Sequence, residues 1–257
     1  MKIGIAGAGG RMGRLLVAAV RADSALQLAG GTLRPGGAAT PPEGVAVLPD
    51  IAALAAASDV VIDFTAAAAV PAHAAALMQA GTAWVLGTSG LSAESEGEVR
   101  RAATRIATVH SANFAPGVTV LLTLAETLAA ALPAEAYDAE IVEMHHRQKV
   151  DAPSGTAIAL GRAVAAGRGV ALENVRESGR DGHTGARKPG AIGFAALRGG
   201  QVVGEHTLLF AGASEHIALS HRAFDRGVFA AGAVRAARWT AGRPPGLYTM
   251  RDVLALG

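Results

Sequence analysis

The tightest limit on the fold lies in the first 114 residues, where short apolar runs alternate with alanine-rich helical stretches across brief links. Residues 2–6 read as a strand, 11–21 as a helix with Met12, Leu15, Leu16 and Ala19 on one face, and 26–32 as a second strand. Arg34-Pro35-Gly36-Gly37 then breaks the chain into a loop. Residues 59–64 (DVVIDF) form a continuous apolar run suited to a strand buried on both faces, 66–80 a helix closed by Gly81, and 83–86 and 106–110 further strands. Strands separated by helices pair in parallel, because two parallel neighbours need a crossover. The expectation is a doubly wound α/β sheet of Rossmann type over residues 1–116.

Beyond Pro116 the pattern changes. Residues 118–132 form a long apolar helix, 137–145 a strand, 146–154 a polar loop and 156–166 a helix. Three strand-like runs follow at 192–197, 202–210 and 216–221. Short glycine-containing turns between them predict a second α+β domain with a mixed, largely antiparallel sheet. Residues 224–239 are helical again and can return to the first domain.

Composition narrows the function classes. Hydrophobic residues at 51% and charged residues at 17% exclude a disordered chain. With Cys at 0 there is no disulfide and no thiolate zinc site, and a cytoplasmic location is expected. A formal charge of +2 without a long Lys/Arg run speaks against a nucleic-acid partner. The alanine tracts at 52–57 and 66–76 are broken by Ser58, Asp59 and Pro71, so no membrane span is expected. The apolar residues 3–6 end at Gly7, too few for a signal peptide.

The first strand runs into Gly7-Ala8-Gly9-Gly10-Arg11-Met12-Gly13, which opens the first helix. Glycine suits such a turn because a Cβ would hold a pyrophosphate away from the amides of the helix N-terminus. The spacing is G-x-x-G-x-x-G rather than G-x-G-x-x-G, so position in the strand–loop–helix unit carries the dinucleotide reading. A plain tight turn in a glycine-rich protein is the alternative. The acidic residue that holds the ribose hydroxyls of NAD at the end of the second strand is missing, since residues 24–42 contain no Asp or Glu. Arg34 stands there instead and can pair with a 2′-phosphate, which favours NADPH over NADH.

The densest chemistry lies at 143–157, Glu-Met-His-His-Arg-Gln-Lys-Val-Asp-Ala-Pro-Ser-Gly-Thr-Ala. His145, His146, Arg147 and Lys149 cluster at a strand exit, and Ser154-Gly155-Thr156 begins a helix. A helix N-terminus offers unpaired N–H groups and about half a positive charge. Together these groups make a receptor for an anion, most simply one or two carboxylates. Ser154 or Thr156 also suits an N-cap. His145 and His146 are strand neighbours pointing to opposite faces, and no HExxH pattern is present, so no metal is expected.

With these segments in hand, the chain resembles the 4-hydroxy-tetrahydrodipicolinate reductase (dihydrodipicolinate reductase) family of bacterial and plant lysine and diaminopimelate synthesis. The resemblance rests on the Gly7–Gly13 loop, Ile62-Asp63-Phe64-Thr65, Gly87-Thr88-Ser89-Gly90, Asn113-Phe114 and the 145–157 segment. Gly182-His183-Thr184-Gly185, Ile192-Gly193-Phe194, Gly204-Glu205-His206 and Met250-Arg251-Asp252-Val253-Leu254 add to it. It implies a dinucleotide domain from both chain ends (1–116 and 226–257), a substrate and assembly domain (117–225) and a homotetramer. It implies cofactor contacts at Gly7, Ala8, Gly9, Gly10, Arg11, Met12, Arg34, Gly87, Thr88, Ser89, Ser111, Ala112, Asn113 and Phe114. It further implies His145 as acid/base, Lys149 as proton donor, and His146 with Ser154, Gly155 and Thr156 on the substrate carboxylates. The cofactor is NADPH by preference, or NADH. An aspartate or homoserine dehydrogenase relative, or a nucleotide sensor without turnover, stands as the rival reading.

Overall fold

The computed structural model of the protein describes residues 1–34 and 36–256, so Pro35 of the expected loop lies outside the described residues. In chain order the elements are β1 (Lys2–Ala6), α1 (Arg11–Arg21), β2 (Gln27–Gly31), α2 (Ile51–Ala56), β3 (Val60–Asp63), α3 (Val70–Ala80), β4 (Ala83–Leu86), α4 (Ala93–Ala103) and β5 (Ala107–His110). These are followed by α5 (Pro116–Ala131), β6 (Asp138–His145), α6 (Gly155–Gly167), α7 (Leu172–Val175), β7 (Arg176–Ser178), β8 (Ile192–Arg198), β9 (Gly204–Ala211) and β10 (His216–Ala223). The chain ends with α8 (Gly227–Trp239), β11 (Gly246–Tyr248) and α9 (Met250–Leu254). It divides into two compact units, Met1–Pro116 with Arg226–Gly257, and Gly117–Asp225.

The first unit is a six-stranded parallel sheet ordered β11-β5-β4-β3-β1-β2. Its strands read as unbroken apolar runs because both faces are covered. Ile3, Ile5, Val60, Ile62, Val85 and Val109 pack with Leu16, Val17 and Val20 of α1 and with Ala230, Ala233 and Val234 of α8. On the other face Val61, Trp84 and Leu86 meet α2, α3 and α4 through Leu54, Leu77 and Val99. The chain steps from β1 to β2 on one side and to β3 on the other, so the strand order reverses at β1.

Local signals explain the helix limits. Pro71 sits in the first turn of α3, and Gly81 closes it with φ +70, a left-handed conformation cheap only for glycine. The chain forms a 3-10 turn over Ala67–Ala69, so the helix expected from 66 starts at Val70. Ser92 caps α4, with Glu94 and Glu96 in its first turn and Arg100 and Arg101 in its last, the charge order the helix dipole favours.

The second unit holds a five-stranded sheet ordered β10-β9-β6-β8-β7. β6 pairs antiparallel with β9 and parallel with β8; β7 is parallel to β8, and β10 antiparallel to β9. The sheet is thus mixed, as expected, and its antiparallel ladders are together the longer ones. β8 and β9 are consecutive yet unpaired, because β6 lies between them. Their connection crosses the end of β6 and is pinned there by Gly199 N→His145 O (2.9 Å) and His146 N→Val202 O (2.8 Å). One core gathers Ile141, Leu160, Val164, Phe194, Leu208 and Phe210. Each such side chain, fully buried, contributes about 1.5–3 kcal/mol.

Candidate active site

In the first unit a cleft of about 790 Å³ opens at the C-terminal ends of β1, β2 and β3. Gly7, Gly9 and Gly10 form one wall, Thr32, Leu33 and Arg34 a second, and Phe64, Thr65 and His73 a third. This is where ligands bind in open α/β sheets, beside the point of strand reversal. Gly7 has φ +72, and a Cβ on Gly13 would come within 2.2 Å of the Gly7 carbonyl oxygen, so the turn and the close seating of α1 both require glycine. No side chain caps α1, whereas Asp50, Ser92, Ser154 and Thr249 cap α2, α4, α6 and α9. A wide cleft facing an uncapped, glycine-bounded helix start fits a dinucleotide pyrophosphate.

The remaining expected cofactor residues line the same edge in different capacities. Ala8, Thr88 and Phe114 are buried and support the wall. Thr88 Oγ1 donates to Thr65 O (2.9 Å), and the Phe64 ring packs 5.4 Å from Phe114. A Cβ on Gly87 would strike the Phe64 ring at 2.3 Å. Ser111 Oγ donates to Asn113 O (2.7 Å), tying the loop after β5 on itself. Arg11, Ser89 and Ala112 are exposed, and Met12 is half-buried. Behind the cleft, buried Asp63 accepts from Thr65 Oγ1 (2.6 Å) and lies 2.7 Å from His73 Nδ1, a pair with no distinct sequence signal.

The second unit's chemistry grows from one strand. Along β6 the core-facing positions run Ala139, Ile141, Glu143, His145, so the inward face turns from apolar to ionisable at the strand's end. His206 of β9 stands directly opposite Glu143, and Arg198 of β8 opposite His145. All four side chains therefore share one face of the sheet, under the start of α6. Glu143 is 1% exposed and accepts from Arg198 through both oxygens (2.9 and 2.8 Å), and from Ser154 N at 3.1 Å. His145 Nδ1 is 2.5 Å from Glu143 Oε2. Burial alone would raise the Glu143 pKa, but Arg198, His145 and the Ser154 amide outweigh it and hold this carboxyl below its usual range. Burial pulls His145 down, against the opposing pull of Glu143, and Lys149 and Arg198 lower it further. His206 is depressed to about 4, chiefly by burial and then by His145.

The loop of residues 146–154 is less uniformly cationic than its sequence implies. Lys149 Nζ donates to both oxygens of Asp151 (2.8 and 2.9 Å). Ser154 is buried, accepts from Ala157 N (3.2 Å) as the α6 cap and lies 3.0 Å from His206 Nε2. Gly155 is exposed and Thr156 half-buried at the helix start. His146 is half-buried, and its buried Nδ1 has no hydrogen-bond partner among the described residues. Arg147 is exposed. Arg222 lies 3.5 Å from Glu205, and Arg226 is the residue just before α8. Sequence reasoning missed Glu143, Arg198 and His206 as a unit. The alternation of β6 puts Glu143 and His145 on one face, but Arg198 arrives from 55 residues away and His206, on the next strand, from farther still.

A parallel sheet whose crevice presents an uncapped glycine turn, joined to a second sheet of acid/base side chains, defines a nicotinamide-dinucleotide-dependent oxidoreductase of two-domain type. The N-terminal domain of dihydrodipicolinate reductase matches residues 1–114, and its C-terminal domain matches 117–254. The chain belongs to the dihydrodipicolinate reductase family. It is 64% identical over 256 residues to the 4-hydroxy-tetrahydrodipicolinate reductase of Granulibacter bethesdensis, covering 100% of this chain and 97% of that one. It is 59% identical to the enzyme of the same name from Acidiphilium cryptum, covering 100% and 98%. The dipicolinate-bound dihydrodipicolinate reductase of Paenisporosarcina sp. TG-14 shares the fold, with TM-score 0.79, 24% identity and 98% of each chain covered. Family membership over the full chain removes the aspartate and homoserine dehydrogenase alternative and the non-catalytic sensor. Among the described residues no helix is long and apolar enough to cross a membrane.

Proposed function

We propose that this oxidoreductase works on a dianionic ring bound where β6 meets α6, with the reduced dinucleotide in the cleft of the first unit. The reaction is reduction of 4-hydroxy-tetrahydrodipicolinate to tetrahydrodipicolinate, in lysine and diaminopimelate synthesis. The 4-hydroxyl leaves as water, a hydride adds to the ring and one proton is taken up. The bound nicotinamide supplies the hydride. Gly7, Gly9, Gly10, Arg11 and Met12 cradle the pyrophosphate. Gly87, Thr88, Ser89 and Ser111–Phe114 form the rest of the wall. Arg34, at the cleft rim, takes a 2′-phosphate, making NADPH the preferred cofactor.

His146, Gly155 and Thr156 meet the ring carboxylates, with Ser154 holding the helix start in place. Lys149 delivers a proton as charge builds on the ring, and His145 serves as its acid/base partner. Fixing the ring at both ends supplies part of the barrier reduction through orientation. One observation carries this reading. Glu143 joins the strand exit to the helix start by accepting from Ser154 N at 3.1 Å, so the imidazoles and the α6 amides form one assembly. The orphaned Nδ1 of His146 supports a ligand there. The protein works in the cytoplasm as a homotetramer, with Val142 (41% exposed) and Leu197 (52% exposed) on the outward sheet face available to a second copy.

The test is a steady-state assay with both reduced nicotinamides and the synthase-generated substrate, with 2,6-pyridinedicarboxylate as competitor. Competitive inhibition is expected. Lys149→Ala should lower kcat at least about 100-fold with the dissociation constant of NADPH unchanged. Near-normal kcat in that variant removes Lys149 from the proposed mechanism.

A further inference from the structure

The strand that carries His145 also carries, two residues earlier and on the same face, a carboxylate that is almost wholly buried. Burying a charge is costly unless it is fully partnered. Glu143 has such partnering: two donors from Arg198, one from the Ser154 amide and one from the His145 ring. Arg198 is itself held by the carbonyls of Leu197 and Asp151, each at 2.6 Å. A carboxylate braced on this many sides has little freedom to turn, so it presents a fixed acceptor to the imidazole.

An ionised carboxylate can only accept. The 2.5 Å approach of His145 Nδ1 therefore requires the proton on Nδ1 and leaves Nε2 as the ring atom able to take or give another. Nε2 lies beside Gly204, where a Cβ would come within 3.0 Å of it, so glycine there keeps its approach open. His206 closes the far side, ring to ring at 5.1 Å and near-perpendicular at 72°.

We infer that Glu143, braced by Arg198, is a positioning residue for the reaction: it holds His145 in the Nδ1–H tautomer and commits Nε2 to proton transfer. The inference rests on the proposed role of His145. The charged and titratable groups facing this ring are Glu143 from its own strand, Lys149 from the following loop, Arg198 from β8 and His206 from β9. Of these Glu143 stabilises the protonated ring, and Lys149 and Arg198 oppose it. Removing the Glu143 charge should thus move the acidic limb of the pH–kcat profile to lower pH.

The experiment compares Glu143→Gln, Glu143→Asp, His145→Ala and the double variant Glu143→Gln/His145→Ala as full-length enzyme. Its readouts are kcat, substrate KM, the dissociation constant of NADPH by fluorescence, and ¹⁵N resonances of histidine rings, with His145 assigned by its loss in His145→Ala. His145→Ala should lower kcat about 100-fold. Glu143→Gln should lower kcat about tenfold or more, and no further than His145→Ala does, because it acts through that ring. NADPH affinity should stay within about twofold, and the double variant should match His145→Ala, as residues acting in series do. The wild-type His145 ring should be protonated at Nδ1, and Glu143→Gln should lose that preference while Glu143→Asp keeps it. Low kcat in His145→Ala with unchanged tautomer and kcat in Glu143→Gln overturns the inference alone. Near-normal kcat in His145→Ala overturns the assignment of His145 and the inference together.

Discussion

The depressed His206 ring makes a quantitative forecast about acid stability. His206 is 5% exposed and titrates at about 4 in the folded protein, against 6.5 in the unfolded chain. The sign follows from proton uptake. Below pH 6.5 the unfolded chain binds a proton at this ring and the native state does not, so stability falls as pH falls, and the loss continues until the folded ring titrates. At pH 5, about 1.5 units below the unfolded value, the loss relative to pH 7.5 is about 2 kcal/mol. His145 and His221 are depressed as well, chiefly by burial, and add to the same slope. Glu143, whose pKa is lowered, starts to withdraw its contribution as pH falls through the ordinary carboxylate value of 4.5, so its effect lies almost wholly below this interval. The assay is urea unfolding followed by circular dichroism at pH 7.5, 6 and 5, at one protein concentration, for the wild type and His206→Gln. The variant cannot protonate at this site, so its slope should be shallower by about 2 kcal/mol over the interval. Equal slopes, or a His206 ring resonance titrating near 6.5, would refute the burial argument.

Three further outcomes are expected. Ser154→Ala removes the α6 cap and the hydroxyl beside His206, and should lower stability by about 1–3 kcal/mol, read as a drop in Tm. Gly13→Ala forces a Cβ against the Gly7 carbonyl oxygen at 2.2 Å, and should cost about 1–3 kcal/mol while weakening NADPH binding, measured by nucleotide fluorescence titration. Arg34→Ala should raise the NADPH KM at least about tenfold and leave that for NADH nearly unchanged; a wild type favouring NADH by kcat/KM would show that Arg34 reads no phosphate.

Where local physics decided the structure, the residues could be read directly. The apolar run at Val60–Asp63 is a central strand, Gly81 ends α3, and of the two cap candidates Ser154 and Thr156 it is Ser154 that caps α6. α4 was also within reach, because Ser92, two early glutamates and two late arginines mark its ends. β11, three residues long, and α2, of six residues, are too short to announce themselves by periodicity. The strand order of the second unit could not be read either. Short turns imply that neighbours in sequence pair, yet β6 inserts between β8 and β9 and brings Arg198 and His206 to Glu143. The cationic loop was legible as composition; the anion beneath it was visible only as a glutamate two residues before a histidine. Its partners depend on sheet topology, which no local spacing encodes.

α8 lies against β3, β4 and α1 in a core shared by residues more than 200 positions apart, and a Cβ on Gly232 would collide with the Phe114 carbonyl oxygen at 1.8 Å. During synthesis the ribosome therefore delivers the first half of this nucleotide module long before its closing helix. The inserted segment, Gly117–Asp225, owns a separate core and emerges complete in the meantime. The nascent chain would then mature from the middle outward, with the module whose strands flank the insertion assembling last.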